Sequence, residues 1–453
     1  MDNNIQSQSS PLKMVVGLDI GTTKILMVAG FMHSDGKIDV CGYGRSQSTG
    51  VENGRVFRPG STIQDIKVAL NQLASSIEEP ISEVYVGVAG RHIKSMGCTN
   101  SSLRPDGLNN MVTEEEVENM LSQLRLMNVK GAEVITVIPQ YYEVEGKHLP
   151  DPVGTLCQHL IGYYQVVTGD VEEVRRITFS VNGAGLKTKR LMLEPIASGD
   201  VCLTEQEKLN GVALIDIGGG TSDLVIYHQG FPVCVKVVPV GSQAITTDIE
   251  NIPIPIEQAE YLKVNHGNCL PEMANPNNYI TIPDSSGFGQ SLKINERDLA
   301  TVINARVAED ILKPIKRAID ESGYANSVKT VVLTGGGSQL KNLTNLTEFI
   351  LQRRTRIGYP IYGLTSTIDN ALKSPSCSTA LGLLRLGCLS EPESMQQEME
   401  QEEIETPSRK SSTKNSSTKN KEKAPKKEGP SLIDKLTDWL GGFISMPNKE
   451  GIN

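Results

Sequence analysis

A chain of 453 residues, 38% hydrophobic and 21% charged, has room for two or more domains with sizeable cores. Its net charge of −9 argues against nucleic acid as the main partner, because phosphate binding needs a clustered positive surface. Its eight cysteines include no C-x-x-C pair and none stands beside a histidine at metal-ligand spacing, so they read as reduced thiols of a cytosolic protein.

Residues 1–13 are polar and lead into a strand rather than a long apolar run, so they read as a disordered N-terminus and not as a secretory signal. No run reaches the roughly 18 apolar residues a spanning helix needs. From 14 to 389, Val/Ile-rich runs bounded by glycine alternate with helix-length amphipathic stretches, the pattern of an α/β fold. The first run, MVVGLDIG, delivers Asp19 to its end and is followed by TTK; a helix is expected near 63–76, closing a first segment at 14–83. An inserted segment at 84–168 carries VYVGVAG, the helical TEEEVENMLSQL, and the strand runs ITVIPQYYEV and GYYQVVTG. Thr113 and Glu116 form an S/T-x-x-E capping box ahead of that helix. Segment 169–199 contains LMLEPIASG. Segment 200–389 opens with GVALIDIGGGTSD and continues through IEQAEYLKVNHG to an Asn/Pro/Gly-rich arm at 264–289. It then holds a helical stretch at 296–323, which Pro314 should kink or divide, and ends with TVVLTGGGS.

The composition then shifts. Residues 390–430 are first acidic and Gln-rich, then rich in Lys, Ser, Thr and Asn; such a segment cannot bury enough surface to offset its ordering entropy and reads as a disordered linker. In 431–446 the apolar residues Leu432, Ile433, Leu436, Trp439, Leu440, Phe443 and Ile444 share one helical face. Ser431 is a plausible N-cap, and Trp439, the sole Trp, is a residue favoured at membrane interfaces.

Two of these runs repeat a plan. LDIGTTK and IDIGGGTSD each bring an apolar strand, an Asp at its end, glycines and a hydroxyl residue, which suggests two similar α/β lobes facing a common cleft. Glycines let backbone N–H groups approach phosphate oxygens closely. A carboxylate at the strand end can hold Mg²⁺ through its water shell, and Asp19 and Asp216 are the candidates. Gly21, Thr22, Thr23 and Lys24 would lie on one side of the phosphates, and Gly218, Gly219, Gly220 and Thr221 on the other. A third loop, at 334–338, offers Gly335, Gly336 and Gly337 as bare backbone for a sugar or base. The P-loop pattern is absent.

In this order DIGTTK, LEPIASG, DIGGGTSD and TGGGS resemble the actin, sugar kinase and heat-shock chaperone ATPase superfamily. MVVGLDIGTTKI, VYVGVAGRHI and VVLTGGGSQL, taken with them, resemble the FtsA family of bacterial division proteins, nearly end to end over the globular part. The resemblance implies an actin-like ATPase fold, two duplicated lobes around a nucleotide cleft with an FtsA-type inserted subdomain, and ATP and Mg²⁺ as ligands. It implies that Glu194 is the acid that positions the attacking water, and that Glu260 and Lys263 are candidates for ribose or base contacts. It also implies that hydrolysis is slow at most. The partners it implies are the C-terminal peptide of FtsZ, further copies of the chain, and other division proteins met by the insert. The location is peripheral, on the cytoplasmic face of the membrane at midcell.

The tail matches the family's membrane helix, with one departure. Its polar face carries Asp434, Lys435 and Asp438 rather than a basic cluster, so the lysines between 419 and 427 are expected to supply attraction to anionic lipid. With Gly441 and Gly442 lowering helix propensity, weak binding by a monomer and firm binding by a polymer are expected. The competing readings are a carbohydrate kinase and a pilus-assembly protein of the same superfamily.

Overall fold

The computed structural model describes residues 13–33, 35–104, 111–251, 254–283 and 291–390. The chain opens with β1 (Val15–Ile20), β2 (Lys24–Met32) and β3 (Ile38–Gln47), an antiparallel meander. A small hairpin follows, β4 (Val51–Glu52) and β5 (Arg55–Val56); it turns on Asn53 and Gly54, which both take positive φ as a tight hairpin turn requires. Helix α1 (Pro59–Ala74) buries the stripe Thr62, Ile66, Ala69 and Leu73 and leads to β6 (Glu83–Val88), which runs parallel to β1.

The inserted unit has its own sheet, made of β7 (Lys94–Leu103), β8 (Ala132–Val144), β9 (Lys147–Leu149) and β10 (His159–Asp170) in the order β7-β10-β8-β9. Helix α2 (Glu114–Arg125) covers one face, placing Met120 and Leu124 among Val137, Leu160, Tyr164 and Val166. Asp170 caps α3 (Val171–Gly183), and β11 (Lys187–Leu193) returns to pair parallel with β6. VYVGVAG therefore does not open the insert. Its strand, β6, lies inside the first sheet between β1 and β11, where an all-apolar run can be covered on both faces, and the inserted unit begins only after it. The capping box at Thr113 is half formed. Glu116 N–H donates to Thr113 Oγ1 at 3.2 Å, but the Glu116 carboxylate turns away to Ser102 and Arg104.

Two short helices, α4 (Glu194–Cys202) and α5 (Glu205–Asn210), precede the second lobe. There β12 (Val212–Ile217), β13 (Ser222–His228) and β14 (Phe231–Val238) repeat the meander. Next come α6 (Ser242–Glu250), α7 (Ile256–His266), the hairpin β15 (Tyr279–Ile282) and β16 (Leu292–Asn295), α8 (Glu296–Arg306) and α9 (Lys313–Glu321). Between α8 and α9 the helix widens into a π segment, Val307–Leu312. Pro314, which lacks an N–H and whose ring crowds the preceding turn, thus divides the helix as expected. The lobe ends with β17 (Thr330–Thr334), α10 (Leu343–Leu351), β18 (Arg354–Ile357) and α11 (Ser378–Ser390).

The sheet orders β11-β6-β1-β2-β3 and β14-β13-β12-β17-β18 are one topology used twice: an antiparallel meander whose first strand pairs parallel with the fourth, and the fourth with the fifth. Each fifth strand runs on towards a helix that covers the other lobe. Val201 and Cys202 of α4 pack on Leu214, Val225 and Val332, while Leu381 and Leu384 of α11 pack on Val15, Leu26 and Val28. The two helices cross at Gly382, where a Cβ would stand 1.9 Å from the Ala197 carbonyl oxygen. Strand alternation puts Gly17 and Asp19 on the α11 side of the first sheet, and Leu214 and Asp216 on the α4 side of the second.

Among the described residues no helix is long and apolar enough to cross a membrane. The linker from 391 to 430, the tail helix at 431–446 with its seven apolar residues, and residues 1–12 lie outside the described residues.

Candidate functional site

The lobes meet over a cleft of about 410 Å³, and all sixteen cleft residues singled out from the sequence line it. One wall is the turn between β1 and β2, closed by Gly21 N–H donating to the Lys24 carbonyl at 3.0 Å. The facing wall is the turn between β12 and β13, closed by Gly218 N–H donating to the Thr221 carbonyl at 2.9 Å. The turns approach so closely that a Cβ on Gly220 would stand 2.4 Å from Thr22 Oγ1, and one on Gly219 would stand 2.5 Å from Thr23 Cγ2. The first turn of α6 braces the second wall, with Ser242 N–H on the Gly218 carbonyl (2.9 Å) and Gln243 N–H on that of Gly219 (2.8 Å). At the third loop Gly335 takes φ +81°, and a Cβ there would meet Asp216 Oδ1 at 2.2 Å.

Four carboxylates gather at the floor. Lys24 Nζ lies 3.4 Å from Asp19 Oδ2. Asp216 Oδ2 accepts from Ser198 Oγ of α4 at 2.5 Å and from Thr379 Oγ1 of α11 at 3.3 Å, so the two crossing helices aim it. Asp223 stands directly opposite Asp216 on the β12–β13 ladder; Thr221 Oγ1 donates to its Oδ2 at 3.1 Å, while its buried Oδ1 has no hydrogen-bond partner among the described residues. Burial raises all four acids. Asp216 is pushed up to about 6, and Asp223, with Asp216 adding to the effect, to about 8. Glu194 is held well above the usual carboxylate range by burial and then by Asp19, Asp223 and Asp216, while Lys24 offsets part of the rise at Asp19. So concentrated an acidic floor is chemically suited to a cation. Among the described residues no three or more acidic, His or Cys side chains are arranged as a ready-made metal cage.

Glu260 and Lys263 form an ion pair at 2.7 Å on α7, but not the solvated pair that i,i+3 spacing usually means. Lys263 is buried, and its ammonium donates to Thr246 Oγ1 (2.8 Å) and to the Ser242 carbonyl (3.1 Å). Thr246 in turn donates to Glu260 Oε2 at 2.5 Å. Burial lowers the Lys263 ammonium from its ordinary value, and Glu260 offsets this in part.

Sequence reading missed Arg45, Ser198, Asp223 and Thr379, all at the site. Asp223 and Ser198 sit inside quoted motifs and were legible. Thr379 is brought to Asp216 from 163 residues away by the α11 crossing, and no local signal marks it.

Residues 213–382 match the family model "Cell division protein FtsA", and residues 90–168 match "SHS2 domain inserted in FTSA", the unit that begins just after β6. The chain is 31% identical over 388 residues to the cell division protein FtsA of Neisseria meningitidis, covering 84% of this chain and 92% of the relative. It is likewise 31% identical over 386 residues to that of Escherichia coli, covering 83% and 90%. Among solved structures it resembles the PilM–PilN type IV pilus biogenesis complex (TM-score 0.58, 16% identity, 84% of this chain and 100% of that one). It also resembles MreB5 of Spiroplasma citri bound to ADP (TM-score 0.50, 15% identity, 86% and 98%). At these identities the structural likeness speaks to the fold, which is the actin-like ATPase fold with an SHS2 insert.

Proposed function

The chain belongs to the FtsA family of cell division proteins, and from that premise we propose that it binds Mg²⁺·ATP in the interlobe cleft, self-associates, and tethers FtsZ filaments to the cytoplasmic face of the membrane at the division site. The observation that carries the nucleotide part is convergence: three glycine turns and four carboxylates, far apart in sequence, line one cleft sized for a small ligand.

In this reading the backbone N–H groups of the two facing turns cradle the phosphate chain, and Lys24 offsets its charge beside Asp19. Asp19 and Asp216 hold the ion through its waters, Asp216 being aimed by Ser198 and Thr379. When bound, Mg²⁺ supplies positive charge against the phosphate oxygens. Lys263 and Glu260, locked to Thr246, present a polar edge to the nucleoside, and Gly335, Gly336 and Gly337 leave room for it. Glu194 faces the terminal phosphate and orients water there. Burial, and then its acidic neighbours, hold its carboxyl well above the ordinary range, so it gives up its proton less readily than an exposed glutamate.

Tethering rests on family membership and on the tail's apolar stripe. The test is co-sedimentation with anionic liposomes of the full chain and of a chain ending at Pro430, each with and without an FtsZ C-terminal peptide on a reporter protein. The full chain should pellet and carry the reporter down, and the shortened chain should stay in solution while still binding the peptide. Equal pelleting of the two chains rules out the tail as anchor. Failure of both chains to capture the peptide rules out the FtsZ link.

A further inference from the structure

The cleft's charges do not balance among themselves. Its lining holds five acids, Asp19, Glu194, Asp216, Asp223 and Glu260, against three bases, Lys24, Arg45 and Lys263. A polyanionic ligand entering such a lining needs positive charge to face it, so each base free to turn toward it matters.

Two of the three bases are already engaged. Lys24 lies against Asp19, and Lys263 is bound to Glu260, Thr246 and the Ser242 carbonyl. Arg45 differs. Its backbone is fixed, with its N–H donating to Gln72 Oε1 of α1 at 2.9 Å, and its neighbour Ser46 is anchored to the Asp65 carbonyl at 2.7 Å. Its guanidinium, by contrast, has no ion pair and no hydrogen bond to any described residue.

Strand register says where that guanidinium belongs. Asp19 pairs with Leu26, and Leu26 pairs with Arg45, so the three form one row across β1, β2 and β3 with side chains on the same face of the sheet. That face is the α11 side, which carries the cleft floor. Strands lie about 4.8 Å apart, so Arg45 starts roughly two spacings from Asp19, with the Leu26 side chain as the surface between them. An arginine lying along an apolar side chain keeps its charged head at the polar edge, here the phosphate-turn end of the cleft that Arg45 lines with Lys24 and Thr23.

We propose that Arg45 is a further phosphate-binding residue of the cleft, the one base poised to engage the nucleotide's phosphate chain without first leaving a partner. A guanidinium offers a planar fork of donors matched to phosphate oxygens, and its pairing is charge-assisted. The inference rests on the reading of the cleft as a nucleotide site.

The test is calorimetric titration of Mg²⁺·ATP and Mg²⁺·ADP, with adenosine read by competition, into the wild-type chain, Arg45→Gln and Arg45→Lys. Arg45→Gln should weaken ATP about tenfold, close to the lower end of what a hydrogen bond to a charged group contributes. ADP should be weakened less and adenosine not at all, and the ATP deficit should shrink at high salt. Arg45→Lys should recover part of the loss, and thermal midpoints should match because the side chain is exposed. ATP affinity within twofold of wild type in Arg45→Gln, or equal losses for ATP and adenosine, overturns the assignment. Absence of ATP binding by the wild type defeats the cleft reading itself, a separate outcome.

Discussion

Asp216 and Asp223 stand directly opposite one another on the β12–β13 ladder, both buried, and they are not served alike: among the described residues Asp216 accepts from Ser198 and Thr379, whereas Asp223 accepts from Thr221 alone. Like charges in directly opposed positions are destabilising. The pair lies at the floor of the cleft, where the proposed cation would offset its charge.

Asp223 makes ligand-free stability fall with rising pH. Its folded value is near 8 against an ordinary 3.8, so between about pH 4 and 8 the folded chain binds more protons than the unfolded one and loses stability as pH climbs. Asp223→Asn removes this penalty. The variant's unfolding midpoint should exceed that of wild type by a margin that widens from pH 4 to 8 and then levels off, on the order of a few kcal/mol at most. A margin that is flat or narrows with pH contradicts the assignment.

Glu194 is expected to act on water and not on affinity. Its side chain lies over Gly87, where a Cβ would stand 2.9 Å from Glu194 Cγ. Glu194→Gln should leave Mg²⁺·ATP affinity within a few fold of wild type and remove whatever slow phosphate release the wild type shows, about a hundredfold in rate. Unchanged phosphate release in the variant would refute the role.

The crossing of α4 and α11 should be intolerant of side chains. Gly382→Val pushes against the Ala197 carbonyl, and because α4 and α11 each carry a residue that aims Asp216, the damage should reach the cleft. Expected are a loss of roughly 1–3 kcal/mol in stability, as for overpacked cores, and weakened nucleotide binding in whatever remains folded. A thermal melt superimposable on that of wild type would show that the crossing is looser than described.

Much of this was legible in sequence for a physical reason. A strand covered on both faces must be apolar throughout, and a turn that faces another backbone must be glycine, so VVGLDIG and ALIDIGGG declare both their place and their use. The duplicated topology follows from those two runs. What stayed hidden depends on distant packing. Ser198 and Thr379 read as ordinary helical residues until α4 and α11 cross, and VYVGVAG reads as the head of the insert until its pairing with β1 and β11 is seen. Asn53–Gly54 is a hairpin signal in plain view, yet that its tip meets the phosphate turns, Gly54 N–H donating to Thr22 Oγ1 at 3.0 Å, is a tertiary fact. Pro314 announced a break in its helix but not the π segment that absorbs it.

The central claim is that the interlobe cleft holds Mg²⁺·ATP through Asp216 and the facing glycine turns. It is tested most directly by calorimetric titration of ATP, with Mg²⁺ and with the ion chelated, into the wild-type chain and Asp216→Ala. Saturable one-to-one binding by the wild type, weakened by chelation and lost in a folded Asp216→Ala, is the predicted result. Equal ATP affinity in wild type and variant, indifferent to Mg²⁺, would contradict it.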